Sequence, residues 1–231
     1  MKLPAKKNKD GYTLSNIRML VYGPPKIGKT TFASGFPDAL FLATEKGYKG
    51  LDIYVTDIES WQDFIDALDE ILKGKHPFRT IVIDTIDNLF NLCQSHVSKK
   101  YKIDHPSDEK WGKGWDLLRT HFRDPILKLS LSKYGLVFIS HSQEREIRTR
   151  YAVYTKTIPT MSKQAREIIN PFVDIIGACS FESVKNGDSY MEKRVMKFDP
   201  SEYMDAGDRT GLLPSMISLS YKKFAKYFEE D

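Results

Sequence analysis

The chain has 231 residues, 41% of them hydrophobic, with 35 Lys and Arg against 31 Asp and Glu and a formal net charge of +4. That size and apolar content suit one α/β domain with a substantial core and exclude global disorder, while the mild positive charge permits a nucleic-acid partner without requiring one. No apolar run approaches the roughly 20 residues of a membrane span, the lysine-rich start lacks the apolar stretch of a secretory signal, and Cys93 and Cys179 fit no metal or redox spacing, so the expectation is a cytoplasmic protein with two reduced core thiols.

Residues 1–16, with Lys2, Lys6, Lys7 and Lys9, read as a flexible basic arm or simply a solvated terminus, and residues 17–231 as the folded domain. Residues 17–22 form an apolar strand. Gly23, Pro24, Pro25, Lys26, Ile27, Gly28, Lys29 and Thr30 then fit G-x-x-x-x-G-K-[ST], with Thr31 following. Such a loop wraps a phosphate chain in backbone N–H groups; Lys29 would reach the β- and γ-phosphates and the Thr30 hydroxyl would ligate Mg²⁺. A helix is expected over 28–34, ended by Gly35-Phe36-Pro37. Residues 40–44 read as a second strand and 53–55 as a short third.

Trp61, Phe64, Ile65, Leu68, Ile71 and Leu72 recur at helical spacing, so 60–73 is an amphipathic helix stopped by Gly74. Residues 80–83 are an apolar strand ending in Asp84, and 86–100 a helix. Residues 99–115 are polar, basic and aromatic without periodicity. A helix covers 115–132, with a kink expected at Pro125. Residues 136–140 read as a strand ending at His141, and 143–158 as a projecting hairpin or loop. A short helix spans 162–170. Residues 173–184 and 190–198 flank Asn186-Gly187, a hairpin signal. Residues 199–214 read as a loop and 219–230 as a closing helix.

Strands alternating with helices imply a mainly parallel sheet covered on both faces, and ligands on such sheets sit at the carboxyl ends of the strands. Gly23, Glu45, Asp84 and His141 each follow a predicted apolar strand, so four polar candidates converge on one edge. Asp84 suits the second metal-site carboxylate, the Walker B role, beside Thr30. Thr85 replaces the Glu that follows this Asp in many ring-forming motor ATPases. Glu45 is therefore the first candidate to activate water, with Asp87 second because it also suits a helix cap. His141 suits a γ-phosphate sensor, its plain alternative being a satisfied polar residue at a strand end. The five histidines show no metal-site pattern.

Gly-Pro-Pro-Lys-Ile-Gly-Lys-Thr-Thr, then Leu-Phe-Leu-Ala-Thr-Glu, Thr-Ile-Val-Ile-Asp-Thr-Ile-Asp-Asn-Leu and Leu-Val-Phe-Ile-Ser-His, in this order, resemble the RecA-type P-loop ATPase core. More narrowly, the chain is similar to the small phage-encoded nucleotide-binding proteins labelled AAA-family ATPase, some of which are RecA-like single-strand annealing recombinases. Gly112-Lys113-Gly114-Trp115 and Asp208-Arg209-Thr210-Gly211-Leu212-Leu213-Pro214 look like that family too. The resemblance implies a RecA-like P-loop NTPase fold with helices on both faces of the sheet and a C-terminal β-hairpin. It implies an ATPase using ATP and Mg²⁺, with Lys29, Glu45, Asp84 and His141 as catalytic residues. The implied role is phage DNA recombination or repair. The expected partners are single-stranded DNA, further copies of the chain in a ring or filament, and a single-stranded DNA-binding protein.

In RecA-like proteins the loops after the Walker B helix and after the sensor strand face DNA. The first here, 99–115, offers Lys99, Lys100, Trp111 and Lys113, with Tyr101 and Trp115. The second, 142–170, offers Arg145, Arg148 and Arg150, with Tyr151 and Tyr154 between cations. Aromatics among cations suit single strands, where bases stack and phosphates pair. The plain reading is a solvated charged face with tryptophans in the core. Arg209 is a candidate finger reaching a neighbour's γ-phosphate, or a surface ion-pair partner. Two other functions compete: a nucleotide-dependent protein-interaction switch or loader, and a small-molecule kinase, for which no acceptor site is evident.

Overall fold

A computed structural model describes residues 11–103, 106–108, 113–186 and 189–228. In chain order its elements are β1 (Arg18–Gly23), α1 (Lys29–Ala33), β2 (Ala39–Ala43), β3 (Tyr54–Asp57), α2 (Trp61–Lys73), β4 (Thr80–Asp84) and α3 (Ile86–Tyr101). Then come α4 (Lys113–Ser130), β5 (Gly135–Arg148), β6 (Val153–Pro159), α5 (Lys163–Ile169), β7 (Ile175–Asn186), β8 (Ser189–Lys197), β9 (Gly207–Asp208), β10 (Met216–Ser218) and α6 (Tyr221–Ala225).

One sheet carries all ten strands in the order β10-β8-β7-β1-β5-β4-β2-β3, with β6 added to β5 and β9 to β7. From β7 to β3 every neighbouring pair is parallel. β8, β9, β10 and β6 add antiparallel. The inner parallel strands β1, β2, β4 and the first half of β5 are apolar at nearly every position because both faces are covered, whereas the edge strand β3 is exposed. Leu20, Leu40, Leu42, Ile81, Ile83, Leu136 and Phe138 pack with Phe64, Leu89, Phe122 and Ile168 from α2 to α5. The alternate residues Met19, Val21, Phe41, Val82, Val137 and Ile139 pack with Phe32, Phe36 and Phe224 on the other face. Each fully buried side chain of this kind contributes roughly 1.5–3 kcal/mol.

Local signals explain the helix bounds. Ser60 accepts from the Asp63 amide while Asp63 accepts from the Ser60 amide, a capping box that starts α2, and Gly74 ends it at φ 69°. α4 runs on through Pro125, because buried Leu118, Phe122, Ile126 and Leu129 hold both halves against the core. Trp115 packs against that core as well. Residues 11–16 form a turn in which Thr13 O accepts from the amides of Asn16 and Ile17. Cys93 and Cys179 are both buried free thiols, and burial pushes that of Cys179 up to about 12.

Three expectations change in the second half of the chain. β5 does not stop at His141. It continues to Arg148 because β6 takes over its hydrogen bonds, pairing Ser142 with Pro159 through Arg148 with Val153. Among the described residues the closing helix spans Tyr221–Ala225, with β10 before it, and the expected end at 229–230 lies outside the described residues. β9 forms within the expected loop and pairs with the start of β7. β7 and β8 pair from Ala178 with Lys197 to Asn186 with Ser189, so the connecting residues are 187–188, outside the described residues.

Candidate functional site

β1 ends in close contact with β7. A Cβ on Gly23 would lie 2.7 Å from both the Cβ and the carbonyl oxygen of Cys179 on β7, so the chain leaves the strand at a position that only glycine fills without displacement. The loop then turns through Lys26 at φ 64° and Gly28 at φ 113°. Gly28 is the N-cap of α1 and supplies no side-chain bond to its first amides. α1 is only five residues long, shorter than predicted, so its macrodipole adds little. The positive character of the loop resides in its amides, in Lys29 and in the exposed Lys26.

Lys29 is buried, and its amine donates to Gly23 O and Pro24 O, each at 2.9 Å. Burial pulls its pKa below the ordinary value, while nearby Asp84 and Glu45 act in the opposite sense. The side chain thus clamps its own loop. A phosphate entering the loop competes for an amine already desolvated and fixed in place.

Asp84 closes β4 in register with Ala43 and Ile139, and a cis peptide joins it to Thr85. Its Oδ2 accepts from Thr30 Oγ1 at 2.8 Å. Burial raises its pKa; the Thr30 hydrogen bond and the Lys29 charge oppose that rise. An adjoining hydroxyl and carboxylate are hard oxygen donors. They suit Mg²⁺, which binds one or two protein oxygens and completes its octahedron with phosphate and water. Among the described residues no cluster of three or more His, Cys, Asp or Glu side chains offers another metal site.

Glu45 lies two residues past β2 and is held on three sides. Oε1 accepts from Thr85 Oγ1 at 3.0 Å and Asn88 Nδ2 at 2.9 Å, and Oε2 lies 3.4 Å from His141 Nε2. Thr44 Oγ1 in turn accepts from the Thr85 amide at 2.9 Å. His141 stands opposite Gly23 in the β1–β5 register, inside a continuous strand rather than past its end. Its Nδ1 is buried without a partner. Asp87 faces elsewhere. Its Oδ1 accepts from Ser140 Oγ at 2.9 Å and Thr160 Oγ1 at 2.7 Å, and Thr85 is the N-cap of α3. Asp87 therefore ties β5 to the end of β6.

A cavity of about 410 Å³ gathers Pro25, Lys26, Gly28, Lys29, Thr30, Thr31, Glu45, Asp84 and His141. Gly23, Pro24 and Ile27 support it from behind, lending Lys29 and Arg194 their carbonyl oxygens. Sequence reasoning missed the opposite wall, where Gly47, Lys49 and Leu51 line the same cavity. The glycines on either side of Lys49, with Gly50 at φ 85°, were the signal for a tight loop after β2. It also missed Thr85 and Asn88, whose side chains meet Glu45 only through the fold.

The other candidates scatter. Lys99 and Lys100 are exposed at the end of α3, Lys113 is exposed at the start of α4, and Trp111 lies outside the described residues. Arg145 pairs across from Lys156 on one face of the β5–β6 ribbon, while Arg148 sits on the other and bonds Glu146. Arg150 is exposed at the ribbon tip beside the Tyr151 ring. Lys156 and Arg166 both face Asp205. Arg209 is 3.6 Å from Asp174, whose other oxygen accepts from the Arg18 amide at the start of β1. It therefore lies at the opposite edge of the sheet from the cavity in its own chain.

A phosphate-wrapping loop after the first strand, a buried lysine, and a Thr–Asp pair at the carboxyl edge of a mainly parallel sheet define a P-loop nucleotide-binding protein. The chain belongs to the AAA-domain family, whose model matches residues 15–210. It is also similar to the SPbeta prophage-derived uncharacterized protein YorG of Bacillus subtilis (strain 168), 27% identical over 130 residues covering 54% of this chain. That match spans 40% of the relative's length. Among the described residues no helix is long and apolar enough to cross a membrane.

Proposed function

We propose that this is a phage-type, RecA-like ATPase that hydrolyses ATP with Mg²⁺ and acts on single-stranded DNA in recombination or repair. Phage context is suggested by the prophage-derived relative. The RecA-like reading is supported by the strand order, in which β5 lies between β1 and β4 and brings His141 between Gly23 and Asp84.

In this reading loop amides and Lys29 bind the triphosphate, and Thr30 and Asp84 hold Mg²⁺, which supplies charge neutralisation of the phosphate oxygens. Glu45, oriented by Thr85 and Asn88, accepts a proton from the attacking water. His141 touches Glu45 and reports the state of the cavity along β5.

The observation that carries the DNA assignment is the continuity of β5. It passes from His141 beside Glu45, without a break, into a projecting ribbon bearing Arg145 and Arg148, with Arg150 at the tip. Asp87 fastens the base of that ribbon through Thr160. The second reading is a nucleotide-dependent switch or loader whose partner is a protein. It is favoured by the acid partners of Arg148, Lys156 and Arg166, which leave fewer cations for phosphates. Arg209 reaches a γ-phosphate in this reading only as part of a neighbouring copy in a ring or filament.

The test is the ATPase rate of wild type and Lys29→Ala with and without single-stranded DNA. Lys29→Ala is expected to abolish turnover, and DNA to stimulate the wild type with an affinity that falls as salt rises. An ATPase indifferent to DNA refutes the DNA assignment and selects the switch.

A further inference from the structure

Two cations that the fold brings together are already occupied by an acid of the same chain. Lys156 on β6 and Arg166 on α5 both face Asp205, in the segment between β8 and β9. Lys156 Nζ lies 2.8 Å from Asp205 Oδ1, and Arg166 Nη1 lies 3.7 Å from Oδ2. We propose that these cations form a phosphate site for single-stranded DNA, held shut by Asp205 until a backbone phosphate takes the place of its carboxylate. The inference rests on the DNA reading of the ribbon and adds to it a binding site and the acid that closes it.

The carboxylate fits its partners incompletely. Its contact with Arg166 is longer than a hydrogen bond, and Arg166 Nε is buried without an acceptor. A phosphodiester is bulkier than a carboxylate and carries its two charged oxygens on a tetrahedral centre. It suits bidentate contact with Nε and Nη of one guanidinium.

The placement of charge points the same way. Arg145 lies directly opposite Lys156 in the β5–β6 register, so both project from one face of the ribbon. Like charges opposed across two strands repel, and Asp205 offsets that repulsion in the free protein. A phosphate beside Lys156 does the same, and it gains the exposed Arg145, which makes no ion pair with Asp205. Tyr154 lies on that ribbon face too, and its ring meets that of Tyr203 edge-on at 5.9 Å between centroids. Tyr203 is 60% exposed, so a flat ring stands ready for a base next to the phosphate.

The carboxylate can leave without dismantling the fold, because other bonds hold the main chain around it. Thr157 N donates to Tyr203 O at 2.8 Å, and Asp205 N donates to Thr157 O at 3.3 Å. The buried Tyr22 hydroxyl, at the end of the phosphate-loop strand, donates to Asp205 O at 2.6 Å. A rotation of the Asp205 side chain is therefore enough to open the site.

The test is fluorescence anisotropy of a labelled oligo-dT titrated with the full chain across a range of salt concentrations, for wild type, Asp205→Asn and Asp205→Asn/Lys156→Ala. Asp205→Asn should bind about three- to tenfold more tightly, and its log affinity should fall more steeply with log salt, by about 0.7 for each cation released. Adding Lys156→Ala should remove most of that gain. Glu70→Gln deletes the same charge from an exposed pair with Lys73 on α2 and should stay within about twofold of wild type. If Asp205→Asn does not melt as a folded protein, Asp205→Ser opens the same site with a shorter neutral side chain. Unchanged affinity and salt slope in Asp205→Asn, an equal gain from Glu70→Gln, or a gain that survives Lys156→Ala overturns the inference and leaves the DNA reading standing. No binding by wild type or any variant overturns the DNA reading and this inference with it.

Discussion

Replacing Glu45 with Gln removes one negative charge and keeps the shape of the side chain. The amide oxygen retains both donors of Oε1, since a carbonyl oxygen accepts from Thr85 Oγ1 and Asn88 Nδ2 together. What changes is the other oxygen, which becomes an NH₂ facing His141 Nε2 at 3.4 Å. That contact is long, so its loss alters ATP affinity by about 1 kcal/mol or less, at most roughly fivefold. The proton acceptor, however, is gone. General-base catalysis contributes about 10²–10⁴-fold, equivalent to roughly 3–5 kcal/mol of barrier. Glu45→Gln should therefore bind Mg-ATP nearly normally by calorimetry while its phosphate release at saturating ATP drops by about two to four orders of magnitude. Hydrolysis within about threefold of wild type would refute Glu45 as the base. Loss of binding in parallel with turnover would instead show that Glu45 holds the nucleotide and does not activate water.

Asp84→Asn should raise the melting temperature of the metal-free protein at neutral pH and abolish Mg²⁺-dependent ATP binding. Burial lifts the Asp84 pKa in the fold, so its stabilising protonated form is present below the unfolded value and lost as pH rises through the folded one. The advantage of Asn should accordingly shrink in melts taken toward acid pH, and a gap that widens there contradicts the assignment. Gly23→Ala puts a methyl 2.7 Å from Cys179, a backbone-and-Cβ clash that should cost about 1–3 kcal/mol in urea unfolding and distort the loop enough to weaken ATP. Asp87→Ala strands the Thr160 hydroxyl and leaves Ser140 with the His141 carbonyl oxygen as its remaining acceptor; it should lower stability by about 1–3 kcal/mol and expose β6 amides to hydrogen exchange, with ATP affinity changed little. Unaltered exchange in β6 would show that Asp87 does not fasten the ribbon.

The sequence was most legible where local chemistry is strict. G-x-x-x-x-G-K-[ST] after an apolar strand announces a phosphate loop because few residues permit a left-handed turn at Gly28 or a buried, backbone-clamping amine at Lys29. Runs such as Ile81-Val82-Ile83 announce strands covered on both faces, and the Ser60–Asp63 capping box marks the start of α2. Asp84 was readable because a carboxylate that ends such a strand projects at the same edge as the loop.

Other features were not local. His141 looked like the residue after a strand, since the apolar run stops at Ser140, and 143–158 read as a separate projecting hairpin or loop; the hairpin forms, but β5 runs into it without a break because β6 supplies hydrogen bonds from Ser142 onward. Asp87 had two plausible local roles and took a third, set by Ser140 and Thr160 on elements far along the chain. The closing helix had helical spacing over a dozen positions, of which Tyr221–Ala225 are helical among the described residues, directly after β10 at Met216–Ser218.

By itself the sequence determined that a phosphate loop opens the domain, that a carboxylate follows the Asp84 strand, and that apolar strands alternate with helices. These are consequences of backbone sterics and of hydrophobic periodicity, which act over a few residues. Only the tertiary structure decided that Glu45 is held by Thr85, Asn88 and His141, that β5 joins the cavity to a basic ribbon, and that Leu219 and Tyr221 stand beside the phosphate loop. Those are contacts between residues tens to nearly two hundred positions apart, and they exist because a parallel sheet collects the ends of distant strands along one edge.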